Sequence, residues 1–168
     1  MCTWDATIDG KPAKMHLLDT TAQDPCETRP NDKMKWADGF LVVFSVTDRT
    51  SFESARALIN HMQRLSAGRR PAAVLVGNKS DLRHFRVVTE TEARDVAAVL
   101  GCPYMETSAS EDYEGVAEAF TKLFAEARAA VKRDRIHSLL NRCPLSTISH
   151  IRDTLKSMTD SRARTNTF

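Results

Sequence analysis

Two apolar runs constrain this chain more than any other feature. Phe40-Leu41-Val42-Val43-Phe44-Ser45-Val46 and Ala72-Ala73-Val74-Leu75-Val76-Gly77 are nearly unbroken stretches of aliphatic and aromatic residues. A strand with one wet face alternates; an unbroken run belongs to a strand covered on both faces. Between the runs, Asp48–Ser51 opens a helix. Phe52, Ala55, Leu58, Ile59, Met62 and Leu65 follow at helical spacing until Gly68. Strand, helix, strand in that order sets two parallel strands in one sheet.

The rest of the chain extends the pattern. Thr89 caps a helix through Leu100, with Glu92 three residues on as in a capping box and Gly101 at its end. Pro103–Thr107 reads as a short third strand, and Tyr113–Arg133 as a long helix with Val116, Ala119, Phe120, Leu123, Phe124 and Ala127 on its apolar face. Upstream, Met1–Ile8 and Ala13–Leu18 flank Asp9-Gly10, a hairpin signature. Residues 26–37 are polar and read as a short or irregular helix. The expected class is α/β, a mostly parallel sheet with helices on both faces. Such sheets bind ligands beyond the carboxyl ends of their strands. The places to look are therefore residues 19–24, 46–48, 77–82 and 107–110.

The strongest signal lies there. Asn78-Lys79-Ser80-Asp81 follows the second buried run directly. A fixed carboxylate at Asp81 accepts two hydrogen bonds from adjacent donors, which guanine presents as its ring N–H and exocyclic amine. Adenine lacks that pair and leaves the desolvated charge unmatched, a penalty of several kcal/mol. Asn78 can bond the base edge or tie neighbouring loops together. The methylenes of Lys79 can cover the ring face while its ammonium stays wet. Polar turns also draw Asn, Lys and Asp, but the specified spacing after a buried strand favours base recognition. One helix and one strand later comes Glu106-Thr107-Ser108-Ala109-Ser110. Small Ala109 lets its backbone N–H approach a base carbonyl, and Ser108 can orient Asp81. Finally, Asp19-Thr20-Thr21-Ala22-Gln23-Asp24 follows the second hairpin strand. There Asp19 can hold Mg²⁺ through water and Gln23 can orient an attacking water.

These three segments, in this order, resemble the Ras superfamily of small GTPases over residues 5–133. The family's D-T-A-G-Q-E becomes Asp19–Asp24, its N-K-x-D becomes Asn78, Lys79 and Asp81, and its S-A-K becomes Ser108, Ala109 and Ser110. Trp36–Val46 and Arg49–Phe52 also match, closest to the RERG-like and Ras-like atypical branch. The resemblance implies a P-loop NTPase-type fold, GTP/GDP and Mg²⁺ as ligands, GTP hydrolysis as a signalling switch, and protein effectors or regulators as partners. Two departures stand out. Ala22 occupies the place of a glycine whose N–H serves the terminal phosphate, and alanine restricts the backbone there. Ser110 replaces a lysine over the base.

The 168 residues contain no G-x-x-x-x-G-K-[ST], the loop that wraps phosphates with backbone N–H groups and a lysine. The expectation is an N-terminally truncated domain with a central strand missing, two strand edges unpaired, and nucleotide binding and hydrolysis impaired. The alternative is a partial isoform, or a non-catalytic Ras-like interaction protein competing for effectors or regulators. A receiver-like doubly wound module is disfavoured by the N-K-x-D tetrad.

Charge and cysteines bound the remainder. A net charge of +2 does not suit a nucleic-acid binder. From Lys132 onward eight Lys/Arg face three Asp/Glu, so the domain (residues 1–133) is mildly acidic and the tail (134–168) basic. Ile148, Ile151, Leu155 and Met158 suggest an amphipathic helix making at most weak, reversible membrane contact. The end, Thr165-Asn166-Thr167-Phe168, is no prenylation box. Cys2, Cys26, Cys102 and Cys143 form no paired motif, as expected in a reducing, cytoplasmic setting, and the chain is expected to be monomeric.

Overall fold

A computed structural model of the chain describes residues 2–8, 11–20, 37–65 and 71–142. The elements are β1 (Cys2–Ile8), β2 (Lys11–Leu17), β3 (Gly39–Ser45), α1 (Arg49–Leu65), β4 (Ala72–Asn78), a 3-10 turn (Arg83–Phe85), α2 (Glu90–Leu100), β5 (Tyr104–Glu106) and α3 (Tyr113–Arg142). By internal contacts the chain divides into two compact units, Met1–Ala127 and Arg128–Phe168.

The two apolar runs become β3 and β4, paired in parallel from Gly39↔Ala72 to Ser45↔Asn78. Next to β4 lies β5, also parallel, with Gly77 opposite Glu106. Side chains alternate across this sheet. One face sends Val42, Phe44 and Leu75 against Phe52, Ala55, Ile59 and Met62 of α1 and Ala93, Ala97 and Leu100 of α2. The other sends Val74 and Val76 against Ala119 of α3, with Leu41, Met105 and Leu123 around them. Helices on both faces explain why these strands carry no polar alternation.

The helix signals act locally as expected. Asp48 Oδ1 accepts from the Thr50 and Ser51 amides at 2.9 and 3.3 Å and starts α1. Thr89 accepts from the Glu92 amide at 3.2 Å, and Gly101 closes α2 at φ 67°. The reciprocal half of the capping box is different. The Glu92 carboxylate turns to Arg49, with contacts of 2.6 and 2.7 Å, because a guanidinium is a stronger donor than a lone amide. Helix α3 runs past Arg133 to Arg142. No glycine or proline occurs between Arg133 and Arg142, and the first proline after them is Pro144.

The hairpin forms its own antiparallel sheet, from Cys2↔Leu17 to Ile8↔Lys11. Among the described residues the strands make two sheets, β1-β2 and β3-β4-β5, and none pairs with the edge of β3 away from β4. Val43 on β3 is 52% exposed, whereas every residue of β4 from Ala72 to Gly77 is buried. The hairpin meets the helical layer through Trp4, whose ring lies 5.7 Å from that of Phe120 on α3. Residues 26–36, Gly68, Asp9-Gly10 and the tail positions Ile148–Met158 lie outside the described residues.

Candidate functional site

Parallel pairing sends the loops after β3, β4 and β5 out of one edge of the sheet. Backbone hydrogen bonds then lace them together. Val46 N–H donates to Asn78 O at 3.0 Å, Thr107 N–H to Gly77 O at 2.9 Å, and Ser80 N–H to Thr107 O at 3.1 Å. The chain reverses after β4 because Lys79 takes a left-handed backbone, φ 65°, unique among the described non-glycine residues. That conformation costs about 1 kcal/mol for an L-residue. Two bonds offset it: Lys79 N–H donates to Asn78 Oδ1 at 2.8 Å and Leu82 N–H donates to Lys79 O at 3.1 Å.

Asn78 joins the loops. Its Oδ1 accepts from Lys79 N–H and, at 3.0 Å, from Ala109 N–H across the sheet edge. Of the two roles open to Asn78 from sequence, this atom takes the tying one. Ala109 N–H, expected to face a base carbonyl, donates to the Asn78 amide oxygen instead. Ser108 is 4% exposed. Its hydroxyl donates to Asp81 Oδ1 at 2.6 Å and lies 3.0 Å from Ser110 Oγ. One carboxylate oxygen is thus aimed by a buried hydroxyl, and a carboxylate retains further acceptor positions for a ligand. Asn78, Lys79, Asp81, Ser108, Ala109 and Ser110 therefore form one cluster.

The residues expected on the phosphate side differ. Asp19 is exposed in the segment following β2. Ala22 and Gln23 lie outside the described residues. Among those described, no group of three or more His, Cys, Asp or Glu side chains could hold a metal ion by itself.

A model of the Ras family matches residues 2–129. The chain belongs to the Ras family. Among curated relatives, this Ras-family chain is 33% identical over 153 residues to the human Ras-related and estrogen-regulated growth inhibitor, covering 91% of the chain and 74% of that protein. It is 39% identical over 139 residues to Ras-like protein family member 11A of Rattus norvegicus, covering 79% of the chain and 55% of the relative. Identity to the GTP-binding protein Rit1 of Mus musculus is 35% over 125 residues, 74% of the chain and 57% of Rit1. These relatives support the RERG-like branch.

Sequence reading missed what stands behind the cluster. Arg86 donates through both terminal nitrogens to both Glu106 oxygens, at 2.8 and 2.7 Å, and Tyr104 Oη donates to the same carboxylate at 2.7 Å. The Arg86 guanidinium holds the Glu106 carboxyl below the usual carboxylate range, against the opposing effect of burial. Burial first, then Glu106, raises the Tyr104 hydroxyl. Glu106 was visible only as part of the second motif, and its partner lies twenty residues upstream. No local pattern announces such a pair. Among the described residues, no helix is long and apolar enough to cross a membrane.

Proposed function

We propose that this chain recognises guanine nucleotides through Asn78, Lys79, Asp81, Ser108, Ala109 and Ser110, and that its 168 residues alone handle the phosphates poorly. The observation that carries the reading is the Ser108–Asp81 bond of 2.6 Å. It fixes a carboxylate at the sheet's carboxyl edge, where two adjacent donors of guanine would complete it. Lys79 and Ala109 are both exposed, and the Lys79 stem would cover one face of a planar base. Family membership supports GTP and GDP as ligands.

Asp19 would hold Mg²⁺ through water. An exposed carboxylate fits that cation, which keeps several waters and takes phosphate oxygens as other ligands. Gln23 would orient the attacking water, and Ala22 would lie at the terminal phosphate. Bound Mg²⁺ would neutralise developing phosphate charge. No phosphate-wrapping G-x-x-x-x-G-K-[ST] occurs in the sequence, which supports weak binding and little GTP hydrolysis by these residues.

The same observation supports a second reading, a non-catalytic monomer that engages effectors or regulators of Ras-family proteins through its surface. The free thiols of Cys2 and Cys102 suit a reducing, cytoplasmic setting.

Titration of the chain with fluorescent GTP and ATP separates these readings. The expected result is weak binding with guanine preferred. Submicromolar, Mg²⁺-dependent affinity would overturn the phosphate part. Equal binding of the two bases would overturn the guanine part and favour the interaction reading.

A further inference from the structure

Behind the base-recognition cluster lies a second, more sheltered one. Arg86 and Glu106 side chains are 23% and 18% exposed and meet through two parallel hydrogen bonds. Charge-assisted, forked pairs of this kind are rigid as well as strong. Partial burial raises the stakes, since removing one partner strands a desolvated charge. Arg86 also donates to Val88 O at 3.2 Å. Val87 and Val88 amides both donate to Val46 O, at 2.9 and 3.1 Å. The segment following Asp81 is thereby tied to the ends of both β3 and β5.

Glu106 sits one residue before Thr107, whose backbone bonds to Gly77 and Ser80, and two before Ser108. Tyr104 reaches the Glu106 carboxylate by crossing Gly77. A Cβ on Gly77 would lie 2.7 Å from Tyr104 Oη and 3.0 Å from Val46 Cγ1. The glycine before Asn78 is thus required by the path of the Tyr104 hydroxyl. Two separate observations, the forked pair and the glycine gap, converge on the spacing between the two recognition loops.

We propose that Arg86, Glu106 and Tyr104, seated against Gly77, are positioning residues that hold the loop bearing Asp81 at fixed spacing from the loop bearing Ser108 and Ala109. The proposal rests on the guanine reading for its functional consequence, not for its geometry. None of the three needs to touch a nucleotide. Each acts through the Ser80–Thr107, Asn78–Ala109 and Asp81–Ser108 bonds. The charge states support a strut rather than a switch. Arg86 keeps Glu106 ionised, and Tyr104 stays a protonated donor.

The test uses the full chain and two variants, R86K, which keeps the charge and loses the fork, and R86A. Residue-resolved amide hydrogen exchange is followed without nucleotide. GDP and inosine diphosphate are compared by calorimetry, because inosine lacks the exocyclic amine that Asp81 would read. In R86K, Ser80 and Ala109 amides should exchange about tenfold faster, with Val74 and Val76 unchanged, and R86A should exceed R86K. The preference for GDP over inosine diphosphate should fall by a similar factor. Unchanged exchange at Ser80 and Ala109, or equal acceleration at Val74 and Val76, would overturn the strut. So would a wild-type GDP preference that R86K leaves intact. If the wild-type chain shows no such preference, the guanine reading fails, and the exchange data alone decide the strut.

Discussion

The proposed base side and the proposed phosphate side of this domain are built to different standards. On the base side, loops from β4 and β5 are bonded to each other by backbone, by Asn78 and by Ser108. They stand on β4, which is buried between the helices, and on half-buried β5 beside it. On the phosphate side, Asp19 is exposed at the end of a hairpin that shares no ladder with the parallel sheet among the described residues. The lesson is that neighbouring parallel strand ends by themselves bring the proposed base-reading residues into one bonded cluster. Asp19, on the hairpin, is not joined to that cluster by any strand pairing among the described residues.

The contrast can be broken first at the cores. Phe52 is 1% exposed and packs its ring 4.9 Å from that of Phe44. Phe52→Ala should cost about 3–5 kcal/mol in urea unfolding. Trp4→Ala, in the hairpin, should cost less, since Trp4 is only half-buried and loses one aromatic pair worth about 1 kcal/mol. Equal losses would mean that the hairpin and the parallel sheet share one core.

Gly77→Ala comes next. Overpacking against Tyr104 and Val46 should destabilise by about 1–3 kcal/mol. Thermal melts would read it, and a neutral result would mean the Tyr104 path is easily moved. Thr89→Ala removes the cap of α2 and should cost about 1 kcal/mol in the same melts.

The smallest effect expected is with pH. The Arg86 guanidinium holds the Glu106 carboxyl below the usual carboxylate range. A depressed acid stabilises the fold above its unfolded value and loses that contribution as pH falls through the folded value. Stability should therefore decline as pH falls below the ordinary glutamate value of about 4.3, and Glu106→Gln should flatten that part of the profile. An unchanged acid limb would remove Glu106 from the account.

Much of this was legible in sequence, for physical reasons that also mark the limit. The unbroken run at residues 72–77 announced a doubly covered strand, whereas the run at 40–46 forms a strand that leaves Val43 exposed; Asp48, Thr89 and Gly101 announced helix ends, because capping leaves local patterns. The clustering of Asn78, Asp81 and Ser108 followed from placing both motifs after parallel strands. Three things did not follow. The separation into two sheets depends on which edges meet, and edges carry no local code. The Glu92 carboxylate chose Arg49, forty-three residues away, over its own cap. The Arg86–Glu106 fork joins positions whose types are ordinary on any surface.

The central claim is that Asp81, aimed by Ser108, reads guanine. Asparagine at that position would exchange an acceptor for a donor, matching xanthine in place of guanine. The direct measurement is the affinity of the chain and of Asp81→Asn for GDP and for xanthosine diphosphate. The account predicts that wild type prefers GDP and that the variant prefers xanthosine diphosphate. A variant that still prefers GDP to the wild-type degree would contradict it.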